Sequence, residues 1–245
     1  MGFKFIIFGQ ARSGTTTLLE TLRLHPHINA ITEPFNLSRA GWGHQYVDDN
    51  RCLNQVSRAL KQLTKEVDGF KHLVEQGSSI TNSAILDSAD YVITLRRNNH
   101  MQTVLSNFIC QQANHWRTDR SAVENHIYVP IDMDKFKSAL KLQKTKFKHY
   151  DDYLVKNNIP HYHLIYENFY QQSAGEKFKT ISGLFCNMGL KKIKDPLLIS
   201  QIYQKLDPAN SKLNSHKVYR KIPNIEDLDQ LSSEENGYLF NQSEE

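Results

Sequence analysis

Cysteine is scarce in this 245-residue chain: Cys52, Cys110 and Cys186 are odd in number and far apart. They show no paired ligand spacing, which argues against a disulfide scaffold or a zinc module and for a reducing compartment, so a cytoplasmic location is expected. Long hydrophobic runs are lacking as well. The N-terminal stretch Phe3–Phe8 is interrupted by Lys4 and ends in a glycine-containing loop. It is too short for a signal-peptide core or a membrane span, and no transmembrane or secretory segment is expected. Ile6 stands where an N-myristoylation signal after Gly2 needs Ser or Thr. An excess of one charge is also missing: 30 Lys+Arg against 26 Asp+Glu leave +4. These cations are spread along the chain rather than gathered in one stripe, which disfavours a nucleic-acid partner. No repeat, low-complexity tract or Pro/Gly/Ser-rich linker divides the sequence, and one domain over 1–245 is expected. With 39% hydrophobic and 23% charged residues, the chain is of globular composition and long enough to fold without staples.

What is present is an alternation of two periods. Short apolar runs at Phe3–Phe8, Gly69–Leu73, Tyr91–Leu95 and Tyr162–Ile165 are bounded by polar or turn residues and predict buried strands. Between them, Leu53, Val56, Leu60, Leu63 and Val67 step by three or four, as do Met101, Val104, Leu105, Phe108 and Ile109. Helices are expected there, after the first strand (Leu18, Leu19, Leu22), and at about 134–156 and 175–189. The alternation predicts an α/β fold with a central parallel sheet flanked by helices. Ligands of such sheets bind in the loops beyond the carboxyl ends of the strands.

The first of these loops is Gly9-Gln10-Ala11-Arg12-Ser13-Gly14-Thr15-Thr16. Its glycines have the Gly-x4-Gly spacing of a Walker A loop, with Thr15 in place of the lysine. Backbone N–H groups at a helix start, hydroxyls from Ser13, Thr15 and Thr16, and the cationic fork of Arg12 suit a phosphate or sulfate ester. The missing lysine argues against an NTPase. A second anion site is expected where Arg96-Arg97-Asn98-Asn99 follows a strand and a helix carries Ser106. Two alternatives stay open: a P-loop-like small-molecule kinase and a nucleotide-binding protein without turnover.

Together these segments resemble the 5′-phosphosulfate loop and the 3′-phosphate segment of sulfotransferases that use 3′-phosphoadenosine-5′-phosphosulfate (PAPS). The double arginine, with Gln112 and Trp116 downstream, is most similar to bacterial carbohydrate sulfotransferases of the trehalose 2-sulfotransferase and Nod-factor type. Thr32-Glu33-Pro34-Phe35, Tyr166-Glu167, Lys212-Leu213-Asn214 and Tyr219-Arg220-Lys221 extend the resemblance over about residues 3–225. Arg12 stands where many members have Lys, and Asn98-Asn99 where many have Asp-Pro or Asn-Pro. The resemblance implies a P-loop-like sulfotransferase fold, PAPS as co-substrate without metal, and sulfuryl transfer to a carbohydrate or glycolipid hydroxyl. It implies 5′-phosphosulfate binding by Arg12, Ser13, Gly14, Thr15 and Thr16, 3′-phosphate binding by Arg97 (favoured over Arg96) and Ser106, and catalysis by Arg12 at the leaving oxygen and Glu33 as general base.

His25, His27 and His44 compete with Glu33 as base, but His25-Pro26-His27 reads as a turn, and no third ligand is spaced to make a metal site. Phe35–Tyr46, with Arg39, Trp42 and His44, is a candidate acceptor lining, and Lys212, Arg220 and Lys221 are candidates to close over the nucleotide. The sequence leaves a homodimer open.

Overall fold

The first strand, β1 (Phe5–Gly9), is buried at every position, as a strand covered on both faces must be. The computed structural model describes residues 4–36, 53–114, 120–207 and 216–240. After β1 come α1 (Thr15–Leu22), β2 (Ala30–Thr32), α2 (Leu53–Leu63), β3 (Gly69–Leu73), α3 (Ser79–Asp87), β4 (Val92–Arg96), α4 (His100–Gln112) and α5 (Arg120–Glu124). They are followed by α6 (Met133–Thr145), α7 (Lys148–Lys156), β5 (His161–Ile165), α8 (Tyr166–Tyr170), α9 (Ala174–Asn187), α10 (Pro196–Leu206), α11 (His216–Tyr219) and α12 (Ile225–Asp229). No described helix is long and apolar enough to cross a membrane.

The chain divides into two compact units, Met1–Arg96 with His149–Asp207 and Arg97–Lys148 with Pro208–Glu245. The first holds a five-stranded sheet of order β2-β3-β1-β4-β5. Every neighbouring pair is parallel, so the expected sheet is present. Alternate side chains of β1 go to opposite faces. Phe5 and Ile7 join Leu18, Leu19 and Leu22 of α1, Ile181, Leu184 and Phe185 of α9, and Ile202 and Leu206 of α10 in one core. On the other face, the Phe8 ring lies 5.0 Å from that of Tyr150 on α7 and 6.0 Å from His72 on β3. Burying side chains of this size contributes about 1.5–3 kcal/mol each.

The second unit is helical. Met101, Val104, Leu105 and Ile109 of α4 pack with Phe136 and Leu140 of α6 and with Val218, Tyr219, Leu228 and Leu239. The helix expected over 134–156 is two helices, interrupted between Thr145 and Lys148. Its apolar stripe serves two cores: Phe136 and Leu140 belong to the second unit, whereas Tyr150 meets Phe8 in the first.

Candidate functional site

The strand order reverses at β1: the chain leaves β1 for one side of the sheet through β2 and β3, then crosses to β4 and β5. A crevice beyond the carboxyl end of the strand at such a switch point is the usual ligand position in an open α/β sheet. The Gly9–Thr16 loop is there. A Cβ on Gly9 would sit 2.3 Å from Thr15 Cγ2 and 2.9 Å from the Leu95 carbonyl, so only glycine lets the loop turn so closely. Gly14, the N-cap of α1, has φ 86°. A side chain there would also strike the Tyr170 ring at 2.7 Å.

Tyr170 of α8 donates its hydroxyl hydrogen to the Gly14 carbonyl at 2.8 Å. Burial, reinforced by Tyr166, raises its pKa well above the usual tyrosine value, which keeps this donor protonated. The Ser13 hydroxyl faces the carbonyls of Gln10 (2.7 Å) and Leu95 (3.1 Å), so it braces the loop internally. Ser13 therefore offers a ligand its backbone rather than its hydroxyl. The first N–H groups of α1 have no intrahelical acceptor and are available in the manner of an anion cradle.

Four non-glycine residues among those described have positive φ. Asn114 and Asn158 follow helix ends, where asparagine commonly takes this conformation. The other two are Arg12 (φ 65°) and Glu33 (φ 49°), the two residues expected to be catalytic. A left-handed arginine or glutamate costs about 1–3 kcal/mol, and such strain concentrates at functional sites.

Glu33 directly follows β2, and its backbone N–H donates to the Lys71 carbonyl at 2.8 Å. Its side chain is buried and surrounded by donors. Oε1 lies 2.5 Å from Lys71 Nζ, and Oε2 accepts from Asn36 Nδ2 at 2.7 Å and Gln76 Nε2 at 2.8 Å. Lys71 Nζ also donates to Thr16 Oγ1 at 2.9 Å. Lys71 Nζ thus links the first turn of α1 to the Glu33 carboxylate. Sequence reasoning passed over Lys71, Gln76 and Asn36; a lysine inside the apolar run Gly69–Leu73 was the available signal for the first of them.

Arg96, at the end of β4, pairs with Asp151 of α7. His163 of β5 shares a 2.6 Å hydrogen bond with Thr94 Oγ1, and its Nδ1 lies 3.7 Å from Asp151. Burial first, then the His161 and Arg96 charges, lower its pKa against the opposing pull of Asp151.

In the second unit, Arg97 donates to Gln102 Oε1. Gln102 Nε2 donates to the carbonyls of Tyr238 (3.1 Å) and Leu239 (3.2 Å), so the C-terminal segment props the arginine's partner. Ser106 is buried on α4. Gln112 exchanges two 3.0 Å hydrogen bonds with the backbone of Val129. Arg220 stacks over the Phe240 ring at 5.3 Å, and Lys221 donates to the Glu124 carbonyl.

His25 is buried. Its Nε2 donates to the Lys191 carbonyl at 2.9 Å and its Nδ1 accepts from the His27 N–H at 3.2 Å, a structural assignment for both ring nitrogens. No group of three or more potential metal ligands occurs among the described residues. Arg39, Trp42, His44, Trp116 and Lys212 lie outside the described residues. An open groove of about 920 Å³, lined by Leu60, Ile80, Asp87 and Tyr153 among others, shares no residue with the loop network.

No protein-family model matches the chain, and no curated protein sequence matches it. Its backbone is similar to those of solved structures, two of which are sulfotransferases. One is the mouse sulfotransferase SULT7A1 complexed with PAP, at 13% identity and a TM-score of 0.49 over 87% of this chain and 66% of that one. The other is a sulfotransferase from Alicyclobacillus acidocaldarius, at 14% identity and a TM-score of 0.46 over 85% of this chain and 95% of that one.

Proposed function

We propose that the chain, with its two units forming one domain, is a sulfotransferase that moves a sulfuryl group from PAPS to a hydroxyl of a carbohydrate or glycolipid. The observation that carries this reading is the chain of contacts Thr16–Lys71–Glu33, which joins the loop at the sheet's switch point to a buried carboxylate after the edge strand β2. Bound PAPS would supply the sulfuryl group: the acceptor oxygen bonds to sulfur as the bond from sulfur to the 5′-phosphate oxygen breaks. The N–H groups of Gly14, Thr15 and Thr16 hold the phosphate, and Arg12 neutralises the charge that builds on the leaving oxygen. Glu33 receives the acceptor proton, while Lys71, Asn36 and Gln76 fix its orientation. Arg97 and Ser106 contact the 3′-phosphate.

The test is Glu33→Gln, assayed with labelled PAPS against a panel of sugars and glycolipids. Turnover should drop by about two orders of magnitude with nucleotide affinity nearly unchanged. Retention of most turnover when chemistry is rate-limiting assigns the base elsewhere.

One observation favours a second reading, a nucleotide-binding protein without turnover: Glu33 already accepts from three side chains, so proton transfer requires one of them to let go. Absence of transfer to every acceptor, with adenosine 3′,5′-bisphosphate still bound, would select it.

A further inference from the structure

The even spread of cations expected from the sequence does not hold around α6. Residues 132–148 contain six lysines (Lys135, Lys137, Lys141, Lys144, Lys146, Lys148) and no arginine, against Asp132 and Asp134. That difference equals the +4 formal charge of the whole chain. Phe136, Leu140 and Gln143 form the buried stripe of α6, which leaves Lys135, Lys137 and Lys141 exposed on its remaining surface. Asp132 is occupied at the helix start, accepting from the N–H groups of Asp134 and Lys135, and Lys144 is paired with Glu235 at 2.8 Å.

Exposed apolar groups accompany these charges. Leu142 of α6 is 58% exposed, and on the segment leading into the helix Ile127 is 88% and Val129 60% exposed. Tyr128 between them is buried and donates its hydroxyl hydrogen to the Val123 carbonyl, which turns its two neighbours outward. These three are the exposed large hydrophobics of the second unit among the described residues.

We propose that this segment of the second unit, residues 127–148, docks on an anionic lipid bilayer. Exposed lysines on long apolar stems and exposed aliphatic groups, carried by one stretch of chain over 127–142, match an interface that offers diffuse negative charge above hydrocarbon. Recognition of individual phosphates, as in nucleic acid, would favour the bidentate fork of arginine, which the segment lacks. The proposal does not depend on the sulfotransferase reading.

The experiment is flotation of the full chain with vesicles of phosphatidylcholine alone or phosphatidylcholine with phosphatidylserine, at low and high salt. Binding should require phosphatidylserine and weaken with salt. Each exposed lysine near the surface contributes about fivefold to partitioning, so Lys135→Gln/Lys137→Gln/Lys141→Gln should lower it on the order of a hundredfold. The control Lys191→Gln/Lys192→Gln/Lys194→Gln removes the same charge from exposed positions in the first unit and should leave binding intact. Unchanged melting temperatures would show that both variants are folded. No binding to anionic vesicles, equal binding to neutral ones, or equal losses in the two triple variants overturns the proposal. So does capture of a single-stranded oligonucleotide at a salt concentration where vesicles are not bound.

Discussion

Lys71 Nζ lies 2.5 Å from Glu33 Oε1, and the two side chains are only 3% and 5% exposed. A buried ion pair is weak evidence for stability, because desolvation offsets much of the attraction, but removing one partner leaves an uncompensated buried charge. Lys71→Met should therefore lower unfolding free energy by about 3–5 kcal/mol. The double variant Lys71→Met/Glu33→Gln should recover a large part of that loss. Urea denaturation of the set checks it; a loss below about 1 kcal/mol in Lys71→Met would mean that the pair is solvated in solution.

Arg96, the last residue of β4, and Arg97, which follows it, should separate functionally. Arg96 is committed to Asp151, whereas Arg97 is held through Gln102. Arg97→Ala should weaken adenosine 3′,5′-bisphosphate by about 1.5–3 kcal/mol and leave adenosine 5′-phosphosulfate, which lacks the 3′ group, almost unaffected. Arg96→Ala should change neither affinity greatly. Calorimetric titration of both ligands checks the pair of variants, and equal weakening of the two ligands by Arg97→Ala would show that its role is structural.

The sheet was legible from sequence because its central strands are short, apolar and bounded by polar or turn residues; Gly69–Leu73 matches β3 end for end. β2 was missed because Ala30-Ile31-Thr32 has three residues with only Ala30 buried, and its evidence is its pairing with Gly69–Lys71. α3 was missed because Ser79–Asp87 mixes polar and apolar residues without a clean stripe: Thr81 and Asn82 are buried while Ile80 is exposed. The loop and Glu33 were legible as motifs. Lys71 was not, because its meaning depends on Thr16 and Glu33, which the parallel register of β2, β3 and β1 brings to it from distant stretches of chain.

His163 should make stability depend on pH. Its folded pKa is depressed by burial first, so between that value and the ordinary 6.5 the unfolded chain binds more protons than the folded one. Stability should be complete above 6.5 and decline as pH falls toward the depressed value. His163→Gln should flatten this part of the profile, as read by melting temperature against pH. An unchanged slope would assign the decline to other groups.

The sulfotransferase account is tested most directly by calorimetric titration of the wild-type chain with adenosine 3′,5′-bisphosphate in EDTA and with ATP plus magnesium. The account reads Thr15 at the Walker lysine position, with Lys71 of β3 bonded to Thr16, as serving a phosphosulfate rather than a metal-bound triphosphate. The account predicts tighter binding of adenosine 3′,5′-bisphosphate, indifferent to chelator. Tighter binding of ATP, or loss of adenosine 3′,5′-bisphosphate binding in EDTA, would contradict it.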